Sequence, residues 1–149
     1  MISFSVEVDD AFFAESFPSL KGLDGDLNEL FKKEIEQSQA AILNRLRTTF
    51  LAEQDPYGNP WLQSRAAKAR RKRGGTGTMF DSGKLFRSIQ LSAAPKPHER
   101  AIVSDVPYGL KHQFGTDGMV KREFMTITPE HEQLARSIFE HKVRELYNV

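Results

Sequence analysis

The chain contains no cysteine in its 149 residues. That absence excludes a disulfide scaffold, thiolate chemistry and sulfur-ligated zinc. It also lacks any run approaching 18 apolar residues, so no helix is expected to span a membrane. Its N-terminus lacks the basic start and apolar stretch of a signal peptide, so synthesis and assembly in a reducing cytosol are expected. Finally, it lacks an excess of one charge. A formal net charge of +1 marks the whole molecule as neither a polyanion mimic nor a general nucleic-acid binder.

The near-neutral total hides an uneven distribution. Residues 1–60 carry 11 acids and 5 bases, residues 61–75 carry six bases and no acid, and the remainder carries 10 bases and 9 acids. With 39% hydrophobic residues, the chain is long enough to bury one core, and a single domain over 1–149 is expected.

Periodicity suggests the elements. Ile2, Phe4, Val6 and Val8 alternate with polar residues, the signature of a half-buried strand. A Gly- and Pro-punctuated connector runs from Pro18 to Gly25. Asp26 and Glu29 then form a capping-box pattern. Leu27, Leu30, Phe31, Ile35, Ile42, Leu46 and Phe50 recur at helical spacing up to Leu51, predicting the longest helix, roughly 35 Å. It stops at Asp55-Pro56-Tyr57-Gly58-Asn59-Pro60, after which Trp61 is expected to anchor the turn onto the core.

Leu62 to Arg73 reads as a short helix with a basic surface. Asp81 or Ser82 is placed to cap another, carrying Leu85, Phe86 and Ile89. Gln90–Ala94 and Ala101–Ser104 predict a hairpin across Pro95–Arg100, and Phe124–Thr128 a further strand. Tyr108–Phe114 predicts a helical turn ended by Gly115, with Tyr108 and His112 on one side and Phe114 plugging the core. Thr128 and Pro129 open a last helix burying Leu134, Ile138, Val143 and Leu146, with Phe139 and Tyr147 beside them. Clustered strands point to an α+β fold: a small antiparallel sheet of about four strands, one long N-terminal helix, a C-terminal helix and short helices.

Catalytic equipment is not visible. Between Gly77 and Gly83 lie five residues where a phosphate loop needs four, and Leu85 stands where a magnesium-binding hydroxyl belongs. His98, His112, His131 and His141 show no metal-ligand spacing, and no GxSxG elbow is present. His112 reads as a histidine that holds a loop. No enzyme activity, metal or cofactor is expected. The basic segment Arg65, Lys68, Arg70, Arg71, Lys72 and Arg73 has two readings. It contacts phosphates of passing DNA, or it is a solvated or protein-pairing surface for acidic neighbours. No interleaved aromatic favours single-strand stacking.

Four blocks in series carry a resemblance: Asp55-Pro56-Tyr57-Gly58-Asn59-Pro60-Trp61, then Ser82-Gly83-Lys84-Leu85-Phe86-Arg87-Ser88-Ile89, then Tyr108-Gly109-Leu110-Lys111-His112-Gln113-Phe114-Gly115, then Lys121-Arg122-Glu123-Phe124-Met125. With the basic stretch between the first two, they resemble the phage virion-morphogenesis (tail-completion) family of the Mu type. That family shows D-P-x-G-x-x-W, T-G-x-L-x-x-S-I, Y-A-x-x-H-Q-x-G and P-x-R-x-F-L. Ser82 and Gly109 depart from its threonine and alanine, and the proline before Arg122 is missing.

The resemblance implies a structural subunit at the head–tail neck or tail end of a virion, without cofactor or reaction. It implies assembly with itself as a ring, commonly sixfold, beside neck or tail-tube proteins; if the ring encloses a channel, the basic segment is placed for transient contact with genomic DNA. The residues tied to assembly or to the motifs are Trp61, Gly83, Leu85, Tyr108, His112, Gln113, Phe114, Gly115, Arg122 and Phe124. Arg122 beside Phe124 is expected to form a surface anchor at a subunit contact, so that their replacement by alanine leaves a folded monomer. The alternative function is a nucleic-acid-binding accessory protein acting through Arg65–Arg73.

Overall fold

A computed structural model describes residues 4–7, 30–96, 99–116 and 118–147. Several expectations lie outside the described residues: Ile2 and Val8 of the first strand, the connector 18–25, the Asp26–Glu29 capping box, Leu27 and His98. The same holds for the side chains of Phe4, Val6, Val143, Leu146 and Tyr147.

The elements run β1 (Phe4–Glu7), α1 (Lys32–Leu51), α2 (Arg65–Lys72), α3 (Lys84–Ser88), β2 (Gln90–Leu91), β3 (Ala101–Ser104), α4 (Tyr108–Phe114) and α5 (Pro129–Tyr147). The fold is α+β, as expected. The sheet is smaller than expected: an antiparallel β2–β3 pair with β1 beside β3, in the order β1-β3-β2. The predicted fourth strand, Phe124–Thr128, is not a strand. Three of its backbone groups, the N–H of Phe124 and both groups of Met125, are bound by one side chain, described below, and the Thr128 N–H by His131.

The chain divides into two compact units interleaved in sequence. One comprises Met1–Ser5, Leu46–Gln90 and Val103–Thr126, and the other Val6–Arg45, Leu91–Ile102 and Ile127–Val149. The second unit packs helix against helix. Phe31, Ile35 and Ile42 of the α1 side, at spacings of four and seven, are buried with Ala135 and Phe139 of α5. Phe31 and Phe139 stack with ring centroids 5.3 Å apart. Thr128 and His131 share a reciprocal cap at the start of α5. The Thr128 N–H donates to His131 Nδ1 at 2.9 Å and the His131 N–H to Thr128 Oγ1 at 3.4 Å. His131 thus stands where a capping box has Glu or Gln.

The first unit is built around Phe50, 1% exposed. Trp61, Phe86 and Phe124 surround it at 5.2, 5.6 and 5.9 Å, the edge-on and tilted geometries that aromatic quadrupoles favour. Leu46, Leu85, Ile89, Val106 and Met125 complete this core.

Candidate functional site

The first block forms a closed turn. Asp55 Oδ1 accepts the N–H groups of Tyr57 and Asn59, each at 2.9 Å, a side-chain mimic of a turn that Asp provides well. Its exit is secured by Trp61, whose N–H donates to the Glu53 carbonyl at 2.8 Å. The Trp61 indole N–H donates to the Glu123 carbonyl at 2.8 Å, which ties the first block to the fourth.

Glu53, which the sequence did not single out, is the hub of the next stretch. It holds a left-handed φ of 58°, and its carboxylate accepts the Thr78 N–H at 2.6 Å while pairing with Arg71. Burial pushes its pKa up, but the Thr78 N–H and the Arg71 charge outweigh this and leave it below the usual glutamate value. Arg71 is therefore committed to structure. So is Arg70, which donates to the Gly77 carbonyl at 2.5 Å. Arg73 reaches the Ala69 carbonyl at 3.4 Å.

The remaining cations of the segment behave differently. Ser64 caps α2, its hydroxyl accepting the Ala67 N–H at 3.1 Å. Arg65, Lys68 and Lys72, at spacings of three and four, then lie on the side of α2 opposite the buried Ala67. All three are exposed, and among the described residues no acid pairs with them. The expected cluster of six is thus a stripe of three plus three cations engaged by the fold.

Gly83 precedes α3 with φ 81° and serves as its cap position, in place of the expected Asp81 or Ser82. Leu85 is buried at the bottom of that turn. Gly115 ends α4 with φ 66°, and a Cβ there would stand 2.9 Å from Lys121 Cβ, so both conformation and space require glycine. At Gly109, a Cβ would meet Leu85 Cδ1 at 3.1 Å and Phe124 Cζ at 3.3 Å. The departure from the alanine of the resembling family is a close approach of α4 to these two side chains.

Gln113 organises the fourth block. Its side-chain oxygen accepts the N–H groups of Phe124 and Met125 at 2.9 and 3.0 Å, and its amide nitrogen donates to the Met125 carbonyl at 2.9 Å and to Thr126 Oγ1 at 3.0 Å. One buried amide therefore does what a neighbouring strand would do for residues 124–126. In α4 the buried positions are Gly109 and Gln113, four apart. Phe114 is rotated by roughly 100° from that face and is 56% exposed, not in the core as expected.

Phe124 is also placed differently from expectation. At 1% exposure it belongs to the Phe50 cluster and is unavailable as a surface anchor. Its replacement by alanine should cost core stability of about 3–5 kcal/mol and not leave an intact monomer. Arg122 is 7% exposed, with its Nε donating to the Leu62 carbonyl at 2.7 Å. Among the described residues no acceptor takes its terminal guanidinium hydrogens, and burial lowers its pKa.

A cleft of about 450 Å³ opens here, lined by Arg70, Lys84, Arg122, Tyr108, His112 and Asp81 together with Met79, Leu85 and Met119. Tyr108 and His112 meet edge to face at 6.2 Å. Burial, and secondarily the Arg122 charge, hold the His112 pKa below the ordinary histidine value. Among the described residues no group of three or more His, Cys, Asp or Glu could hold a metal, and no helix is long and apolar enough to cross a membrane.

The four blocks thus converge on one unit, and what they build is a set of backbone-binding fixtures beside a basic cleft. In comparison with known proteins, the model of the phage virion morphogenesis family matches residues 24–144, a range that includes all four blocks. Neither a curated protein nor a solved structure matches the chain.

Proposed function

Because the chain belongs to the phage virion morphogenesis family, we propose that it is a non-enzymatic structural subunit of the tailed-phage particle. In this reading it acts in tail completion or head–tail joining as one copy in a ring of identical copies. The observation that carries the ring is the placement of exposed apolar side chains. Among the described residues, Leu51, Tyr57, Leu62, Tyr108, Phe114 and Val120 are exposed in the first unit, against Leu30 in the second. Phe114 and Val120 flank the contact of Gly115 with Lys121. Exposed apolar side chains that fall mainly within one unit are surface that an interface would cover, and a ring gives each copy two neighbours to cover it.

Mass measurement of the purified chain tests this. The wild type should run as a closed multimer, with six copies the first expectation. The double variant Leu62→Ser/Phe114→Ser should keep its unfolding midpoint and fall to the monomer mass. A wild type that stays monomeric at tens of micromolar ends the ring reading.

The second reading, a DNA-contacting accessory protein, is favoured by the Arg65, Lys68 and Lys72 stripe alone. Three neutralised phosphates predict a log–log salt slope of roughly −3 for duplex affinity. That affinity should be lost in the triple alanine variant whatever the oligomeric state.

A further inference from the structure

The cleft beside Arg122 carries charge that the fold does not balance. Arg70, Lys84 and Arg122 line it against Asp81 as its acid. Arg122 is almost fully buried, yet among the described residues its one side-chain hydrogen bond goes to the neutral Leu62 carbonyl. Two further buried nitrogens on the same cleft, Arg70 Nε and His112 Nδ1, have no hydrogen-bond partner. A carboxylate brought to a guanidinium that is largely sheltered from water and has no counter-ion forms a strong charge-assisted pair. Burial first, and the Arg122 charge second, hold the His112 pKa below its ordinary value, so the His112 ring adds no balancing charge to the cleft.

The shape of the site selects among anions. Arg122 is 7% exposed, so little of it is open to the broad backbone of a duplex, whereas a single Asp or Glu side chain on a peptide is thin enough to reach it. Met79, Leu85 and Met119 on the walls favour apolar residues next to that acid. The chain itself contains such a segment. Residues 1–29 hold seven acids and a single base, and Asp9-Asp10-Ala11-Phe12-Phe13-Ala14-Glu15-Ser16-Phe17 combines acids with phenylalanines. Cleft and segment are different parts of the same chain, so a head-to-tail arrangement of copies, the kind that can close into a ring, would bring them together. We infer that the cleft formed by Arg70, Lys84 and Arg122 receives the acidic, Phe-bearing segment 9–17 of a second copy of this chain. The inference rests on the ring reading and names its charged contact.

Charge exchange between copies tests it. Lys84 is exposed on the rim at the first residue of α3, where a glutamate is well tolerated, so Lys84→Glu should fold normally. Alone, Lys84→Glu should raise the concentration needed for half-assembly at least tenfold, and so should Asp9→Lys/Asp10→Lys. An equimolar mixture of the two variants should assemble as well as wild type, because each reversed cleft then meets a reversed segment on another copy. Exchange within one chain cannot be rescued by mixing, so a mixture that stays disassembled overturns the inference. Assembly of Lys84→Glu at wild-type concentration overturns it too and leaves the ring reading intact. A monomeric wild type removes both. If short duplex DNA binds with an affinity that Lys84→Glu abolishes, the cleft is a phosphate site and the assignment of a peptide falls.

Discussion

The two units of the chain are held together by different means. In the second, regular helices satisfy most of their own backbone hydrogen bonds. Side chains there bind backbone over short separations, as at the Thr128–His131 cap and at Ser92 with the Ala101 N–H, and other contacts are apolar or ionic. Phe31 stacks on Phe139, and Arg45 pairs with Glu130 at 2.5 Å. In the first, long irregular segments have no ladder to join, and side chains bind main-chain groups instead. Gln113 holds residues 124–126, Trp61 the Glu123 carbonyl, Arg122 the Leu62 carbonyl and Arg70 the Gly77 carbonyl. Arg47 adds two donors to the Ile89 carbonyl, at 3.1 and 2.5 Å. Buried backbone groups must be paired by something, so irregular structure demands polar residues of fixed identity. The comparison teaches that the motif blocks of this chain are fixtures for backbone, which a reader looking for chemistry would mistake for a reaction centre.

Mutations break or sharpen this contrast. The largest effect is expected at the centre of the first unit: Phe50→Ala should lower stability by about 4 kcal/mol, read from the urea midpoint. Gln113→Leu comes next. It keeps the volume but leaves two N–H groups and a carbonyl buried without partners, at a cost of about 3 kcal/mol. The corresponding change in the second unit, Gln133→Leu, touches an exposed residue whose amide reaches Ser137 at 3.4 Å and should stay within about 0.5 kcal/mol. Equal losses at the two glutamines would end the distinction between the units.

The smallest effect is a pH dependence confined to the first unit. The folded His112 pKa lies below its ordinary value because of burial and Arg122, so folding favours the neutral ring. Its stabilising contribution is present above the unfolded-state value of about 6.5 and is lost as the pH falls through the lower folded value. His112→Gln should flatten the stability profile between pH 7 and 5. A slope unchanged in that variant assigns the effect to other groups.

Much of the fold was legible in the sequence because it depends on local periodicity. The α1 stripe, the Asp55–Pro60 turn, the Gly115 stop and the Thr128-Pro129 helix start each involve residues within a turn or two of one another. By contrast, α5 buries His131, Ala135 and Phe139 and leaves the expected Leu134 and Ile138 only half-buried. What failed was non-local. Whether residues 124–128 form a strand depended on a glutamine eleven residues upstream, and no pattern within the segment shows that. Phe114 and Phe124 are both aromatic residues in motif blocks, yet one is exposed and the other fully buried. The basic segment read as six equivalent cations because sequence shows charge but not partners. Only Glu53, Gly77 and Ala69 in space separate Arg70, Arg71 and Arg73 from the rest, and Glu53 left no signal that would have found it.

By itself, then, the sequence determined the helices, the turns, the α+β class and the family, since these follow from spacing along the chain. Tertiary structure alone decided which cations remain available, which aromatics face outward and where an unpaired guanidinium lines a cleft. Those outcomes depend on neighbours brought together from 4 to 60 residues away, and burial and charge pairing are properties of the assembled surroundings, not of residue type alone.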